Sequence, residues 1–182
     1  GILYGEADPS GRLPFTWPKK LEDSPSHRLA TQDLDTVNYE EELMVGYRYF
    51  DTQEVEPQFP FGYGLSYTTF RYGRLHVSKK DGTVRGRIEI RNTGDRDGSQ
   101  TVQIYVRPER PSVTRPVHEL KAFEKLFLRA GERRTVEFTL PARAFSYYSE
   151  TEGRWVEDPG PYTIEAAASS RDIRSTAQID IK

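Results

Sequence analysis

The chain has 182 residues, 35% hydrophobic, 12% aromatic and 30% charged, with a formal charge of −2. This composition suits a soluble chain that folds around a core, since disorder needs fewer aromatics. The absence of cysteine excludes a disulfide framework, a thiolate metal site and a cysteine nucleophile, and no apolar run approaches the roughly 20 residues of a membrane helix, so no membrane partner is expected.

The charge is unevenly spread. Residues 1–66 carry 5 basic and 12 acidic side chains, and residues 67–182 carry 21 basic and 16 acidic. The sharper expectation is that the acidic lead docks on the basic remainder, and raised salt then loosens the two. The chain starts at Gly1 and its single methionine is Met44, which reads as an interior or C-terminal piece of something longer, or a cleavage product.

In chain order, Ile2-Leu3-Tyr4-Gly5 reads as a short apolar strand end, and Asp8-Pro9-Ser10-Gly11 as a turn. Arg12 to Pro18 is expected to be extended, because residues before proline avoid the helical region, and to belong to a sheet whose other strands are missing. Lys19 to Asp35 reads as a polar surface linker, with His27 a solvated loop histidine. In Asn38 to Asp51, Val45, Tyr47 and Tyr49 alternate with Gly46, Arg48 and Phe50, a strand-like pattern. Glu40, Glu41 and Glu42 read as a solvated acidic turn, since neighbouring side chains cannot all converge on one atom. Arg48, between two tyrosines, is a candidate for a buried ion pair or ring stack.

Phe59-Pro60-Phe61-Gly62-Tyr63-Gly64-Leu65-Ser66-Tyr67 packs four aromatics, two glycines and a proline into nine positions. Proline removes a donor and glycine opens backbone conformations closed to other residues, so the stretch is expected to fill a seam. The domain junction falls here, with residues 1–66 before it and 67–182 after it. Beyond it apolar residues alternate in seven segments: Leu75/Val77, Val84/Ile88/Ile90, Val102/Ile104/Val106, Glu119 to Leu128, Val136/Phe138/Leu140, Tyr162 to Ala168, and Ala177/Ile179/Ile181. Asp81-Gly82, Asp97-Gly98, Ala130-Gly131 and Pro159-Gly160 punctuate them. This predicts an immunoglobulin-like β-sandwich.

Catalytic patterns are sparse. Glycosidases need two facing carboxylates, and no such pair can be placed in a pocket. His27, His76 and His118 lie apart on polar stretches without a nucleophile elbow or a ligand cluster, so no metal or cofactor is expected. Gly62-Tyr63-Gly64 is not a dinucleotide fingerprint. Arg107, Arg110 and Arg115 form a basic loop without interleaved aromatics, so nucleic acid is not expected as a partner. Tyr147, Tyr148 and Trp155 are candidates for a sugar-stacking platform, with Arg110 and Arg115 as further candidate substrate contacts.

Three blocks then resemble the C-terminal end of family 3 glycoside hydrolases, the β-glucosidase and β-xylosidase type: Gly5 to Pro18 with D-P-S-G-R-L-P-F-T-W-P, Tyr39 to Asp51 with V-G-Y-R-Y-F-D, and Phe59 to Phe70 with F-P-F-G-Y-G-L-S-Y-T-T-F. Further matches are Arg91-Asn92-Thr93-Gly94, Pro116 to Phe123, and Gly153-Arg154-Trp155 with Pro159-Gly160-Pro161-Tyr162. The resemblance implies a mainly β chain, with a fibronectin type III-like sandwich preceded by the terminal strand and irregular tail of an α/β sandwich domain. It implies partners too: an upstream catalytic barrel and α/β domain, and the carbohydrate substrate of the parent. The family's nucleophilic aspartate and acid/base glutamate have no counterpart here, so no catalytic position is carried over. The family often has glycine where this chain has Glu42. The expected role is an accessory part of a β-glycosidase, inactive alone. The alternatives are a carbohydrate-binding module at Tyr147, Tyr148 and Trp155, or an oligomerisation module presenting Phe59, Phe61 and Tyr63.

Overall fold

The computed structural model of the chain describes residues 1–27 and 39–182. Residues 28–38, which include the predicted linker from 28 to 35 and the first position of the Asn38-to-Asp51 segment, lie outside the described residues. Ten strands follow residue 69: β1 (Phe70–Tyr72), β2 (His76–Lys80), β3 (Thr83–Asn92), β4 (Gly98–Pro108), β5 (Glu119–Leu128), β6 (Arg133–Leu140), β7 (Ser146–Ser149), β8 (Arg154–Glu157), β9 (Gly160–Ala167) and β10 (Ile173–Ile181). All seven predicted segments are strands. The short β1 and the β7–β8 hairpin are additions that alternation was too brief to mark.

The strands form two antiparallel sheets and a hairpin. In the first sheet β3 is central, with β6 on one edge and β1 and β2 end to end on the other. The second runs β10-β9-β4-β5. Between them lies one core, including Val84, Ile88 and Ile90 of β3, Ile104 of β4, Leu126 and Leu128 of β5, and Ile164 of β9. β3 alternates between buried and exposed along its whole length. β4 and β9 contain runs of five and six consecutive buried residues, so these two central strands of the second sheet are covered on both faces.

The cover is the first part of the chain. Residues Tyr47–Thr52 form a helix, α1, where the alternation predicts a strand. Closely spaced aromatics satisfy both periods: Tyr47, Phe50 and Asp51 lie at i, i+3 and i+4, and all three meet the sandwich or its loops. Gly46, at φ 55, turns the chain into the helix. Glu42 adopts φ 47, in the left-handed region that favours glycine.

Two further expectations are corrected. Residues Ile2–Tyr4 form an exposed 3₁₀ turn, not a strand end; Gly5 closes it at φ 76 by donating its N–H to the Ile2 carbonyl. Residues 12–18 are not extended throughout as predicted: the chain bends at Pro14 and Phe15, and Leu13 and Trp17 on either side pair with the aromatic stretch. Trp17 bridges Phe59, Leu13 N–H donates to the Tyr63 carbonyl at 2.9 Å, and Gly62 N–H returns to the Leu13 carbonyl at 2.8 Å. Among the described residues no helix is long and apolar enough to cross a membrane.

Candidate functional site

The densest chemistry lies where α1 meets the second sheet. His118, in the turn before β5, is buried between two carboxylates. Its Nδ1 is 2.8 Å from Glu165 of β9 and its Nε2 is 3.2 Å from Asp51 of α1. A ring flanked this way on both nitrogens can donate from both only as imidazolium. Burial opposes that charge, but the hydrogen bonds to Asp51 and Glu165 prevail and raise the His118 pKa. Tyr105 of β4 stacks on the ring at 4.6 Å between centroids, and burial raises its own pKa.

Asp51 is held from a second side. Arg171, beyond β9, donates Nε to Asp51 at 2.6 Å, Nη1 to Glu56 at 3.0 Å, and Nη2 to the carbonyls of Phe50 and Val55. Burial pushes the Asp51 carboxyl up, but the hydrogen bonds from His118 and Arg171 outweigh it and leave its pKa low. Next to this group Arg48 of α1 lies 3.4 Å from Glu119, which also pairs with Arg115 at 2.7 Å and Lys121 at 3.4 Å. Arg48 thus makes an ion pair as expected, half-buried rather than buried. The Glu119 pKa is likewise lowered, with burial overcome by Lys121, Arg115 and Arg48.

Uncharged contacts complete the lock. Tyr47 stacks on Phe61 at 5.0 Å and its hydroxyl accepts from Leu120 N–H at 2.9 Å. Gln103 Nε2 donates to the Ala168 carbonyl at 3.0 Å and the Gly62 carbonyl at 3.3 Å. Gly62, at φ 80, lies so close to the Gln103 amide that a Cβ there would overlap it. Asp8 closes no turn; it accepts from Tyr67 N–H at 2.6 Å and from Ser66 Oγ at 2.9 Å.

The predicted substrate residues are not brought together as one platform. Tyr148 and Trp155 face each other across the hairpin with centroids 5.7 Å apart at 70°, and both are exposed, at 52% and 46%. Arg143 lies 4.3 Å above the Trp155 ring. Tyr147 pairs with Val156, and so points to the opposite side of the hairpin. Arg110 is exposed on the loop after β4. The Arg115 side chain is only 3% exposed and is committed to Glu119 and to Asp158 at 3.7 Å. Of the predicted oligomerisation patch, Phe61 is covered by Tyr47. Phe59 and Tyr63 line an apolar groove with Leu13, Trp17 and Leu65.

Sequence reasoning missed the Asp51–His118–Glu165 group because its members come from three distant segments. A signal existed: Asp51 ends one of the family-like blocks and His118 lies inside another. Among the described residues no group of three His, Asp or Glu could hold a metal ion. Among the described residues, the grooves lined by Arg85 and Glu137, by Arg12 and Asp172, and by Trp17 and Phe59 each have at most one carboxylate in their lining.

The class of fold is a β-sandwich with a long N-terminal segment locked across one sheet. Residues 1–67 match the glycosyl hydrolase family 3 C-terminal domain and residues 100–170 the fibronectin type III-like domain. The chain is 46% identical over 176 residues to thermostable beta-glucosidase B of Acetivibrio thermocellus, covering 94% of this chain and 23% of that protein. It is 41% identical to an exo-alpha-(1->6)-L-arabinopyranosidase of Bifidobacterium breve, covering 100% of this chain and 24% of that protein. The fold superposes on a Bifidobacterium adolescentis GH3 beta-glucosidase with a TM-score of 0.96 at 41% identity, covering 99% of this chain and 27% of the other. For beta-glucosidase 3B from Thermotoga neapolitana the TM-score is 0.92 at 40% identity, with 98% and 25% covered. The chain belongs to glycoside hydrolase family 3 and corresponds to the C-terminal part of its members. It spans about a quarter of the length of the curated relatives it matches.

Proposed function

We propose that this chain braces the catalytic domains of a β-glycosidase and has no turnover by itself. Residues 1–66 are the end of the α/β domain and residues 67–182 are the sandwich. An upstream barrel and α/β domain supply the catalytic carboxylates for retaining hydrolysis of a terminal β-D-glucosyl or related residue. The observation that carries the reading is the lock itself: the first segment is fastened to the sandwich by a buried Asp51–His118 pair and by half-buried pairs of Asp51 with Arg171 and of Arg48 with Glu119. A domain end fixed so firmly transmits the sandwich's rigidity to whatever it continues. The apolar groove at Trp17, Phe59 and Leu65 suits contact with the rest of that α/β domain. Incubation of the chain with a chromogenic β-glucoside is expected to release nothing, and turnover above a heat-killed control overturns the reading.

A second reading rests on the exposed Tyr148–Trp155 pair, which suits stacking on sugar rings. Calorimetry with cello-oligosaccharides tests it: heat lost in Trp155→Ala supports a carbohydrate-binding role, and no heat from either protein removes it.

A further inference from the structure

The outer face of the first sheet carries an unusual row of like charges. Arg71 of β1 is directly opposite Arg91 of β3, which is directly opposite Arg133 of β6. All three are exposed. Like charges in register across adjacent strands weaken a sheet, and here they span three strands. Along β3, Arg85, Arg87 and Arg91 project from the same face, with neighbouring positions on that face roughly 7 Å apart. Lys80 of β2 adds a sixth cation, against two carboxylates, Glu89 and Glu137. Glu89 is 3.9 Å from Arg133, while Arg71, Arg85, Arg87 and Arg91 are in no ion pair with a described residue. A chain of net charge −2 therefore presents one face of opposite sign.

Beside this row a groove of 690 Å³ is lined by His76, Ser78, Arg85, Arg87, Glu137 and Thr139, together with Val77, Gly86 and the partly buried Phe138. Guanidinium forks match carboxylates. The Ser78 and Thr139 hydroxyls and the Glu137 carboxylate among them suit sugar hydroxyls. The exposed positions of β3 and β6 on this face include no aromatic to stack nucleobases, and the first sheet holds no helix to enter a major groove.

We propose that this arginine-rich face binds a linear polysaccharide bearing carboxylates. The proposal does not depend on the glycosidase reading. The test is titration calorimetry of the 182-residue chain with polygalacturonate, neutral β-glucan, duplex DNA and anionic phospholipid vesicles, for wild type and for Arg85→Gln/Arg87→Gln/Arg91→Gln. Polygalacturonate is expected to bind, to be released as salt approaches about 1 M, where the screening length is about 3 Å, and to lose at least about tenfold in affinity in the triple variant, the factor one charge-assisted hydrogen bond carries. Circular dichroism of the variant should match wild type, because all three positions are exposed. Absence of binding, undiminished binding by a folded triple variant, or equal or tighter binding to DNA or vesicles at matched charge overturns the proposal. If the triple variant fails to fold, Arg85→Gln alone, away from the Arg71–Arg91–Arg133 row, decides by the same criterion.

Discussion

The two sheets of the sandwich share one core and differ in what lies on their other sides. The outer face of the first sheet is solvated, and along its central strand β3 exposed charged side chains alternate with buried ones. The outer face of β10-β9-β4-β5 is roofed by α1 and the Phe59–Tyr67 stretch, and it buries Gln103, Tyr105 and Glu165 beneath them. The same β pattern therefore carries charge at two very different energetic stakes. On the open face a charge is hydrated and replaceable. Under the roof each charge has lost water and is tolerated only because it is paired.

Removing one partner from the roofed face is expected to have the largest effect. Asp51→Ala leaves His118 with one carboxylate and Arg171 without its shortest ion pair. Breaking a buried pair typically costs about 3–5 kcal/mol, and urea denaturation should show a loss of that order. A loss below about 0.5 kcal/mol, the scale of an ordinary surface change, would mean that the roof is not energetically coupled to the sheet.

A backbone test of the same roof comes next. Gly62→Ala adds a Cβ at φ 80 against the Gln103 amide. The left-handed conformation and the overlap together are expected to cost about 2 kcal/mol or more. Gln103→Ala in the same background would recover part of it by opening space. Thermal melts of the two variants separate strain from the lost hydrogen bonds.

The open face was legible in the sequence and the roofed face was not. Alternation of Val84, Ile88 and Ile90 with Arg85, Arg87, Glu89 and Arg91 marks a sheet wet on one side. In β4 and β9, polar Gln103, Tyr105 and Glu165 read as outward and solvated, because alternation reports which side faces the core and says nothing about a second cover. The strand predicted over Val45 to Phe50 hid that cover: once these residues are helical, Tyr47, Phe50 and Asp51 share one face, and the reason for the V-G-Y-R-Y-F-D block becomes visible. The aromatic platform split for a related reason. Tyr147 and Tyr148 are neighbours in a strand, so only Tyr148 can share a side with Trp155.

pH sharpens the contrast, because charges under the roof are coupled to folding. His118 has a raised folded pKa, so its contribution is fully present below its unfolded value, about 6.5, and is lost as pH rises through the folded value. Asp51 and Glu119 have lowered folded pKa values. Their contribution is present above the unfolded carboxylate range, about 4, and is lost as pH falls through the folded values. Stability is therefore expected to fall on both the acid and the alkaline side. In His118→Gln the alkaline decline attributable to the imidazole should vanish while the acid decline remains. Melting temperatures that keep the wild-type alkaline slope in this variant would assign it to another group.

The smallest expected effect has the opposite sign. Arg91 lies between Arg71 and Arg133 on the open face, where each like-charged cross-strand neighbour opposes the pairing by a few tenths of a kcal/mol. Arg91→Thr keeps a residue suited to strands and removes both repulsions without uncovering core, since only the exposed side of β3 changes. Stability is expected to rise by about 0.5 kcal/mol at low salt, and the gain should shrink as salt screens the exposed charges. A loss larger than that would place Arg91 in a stabilising contact and make the two faces alike. A gain would show that the sandwich carries this row of arginines at a cost to its own sheet, as a surface kept for binding would.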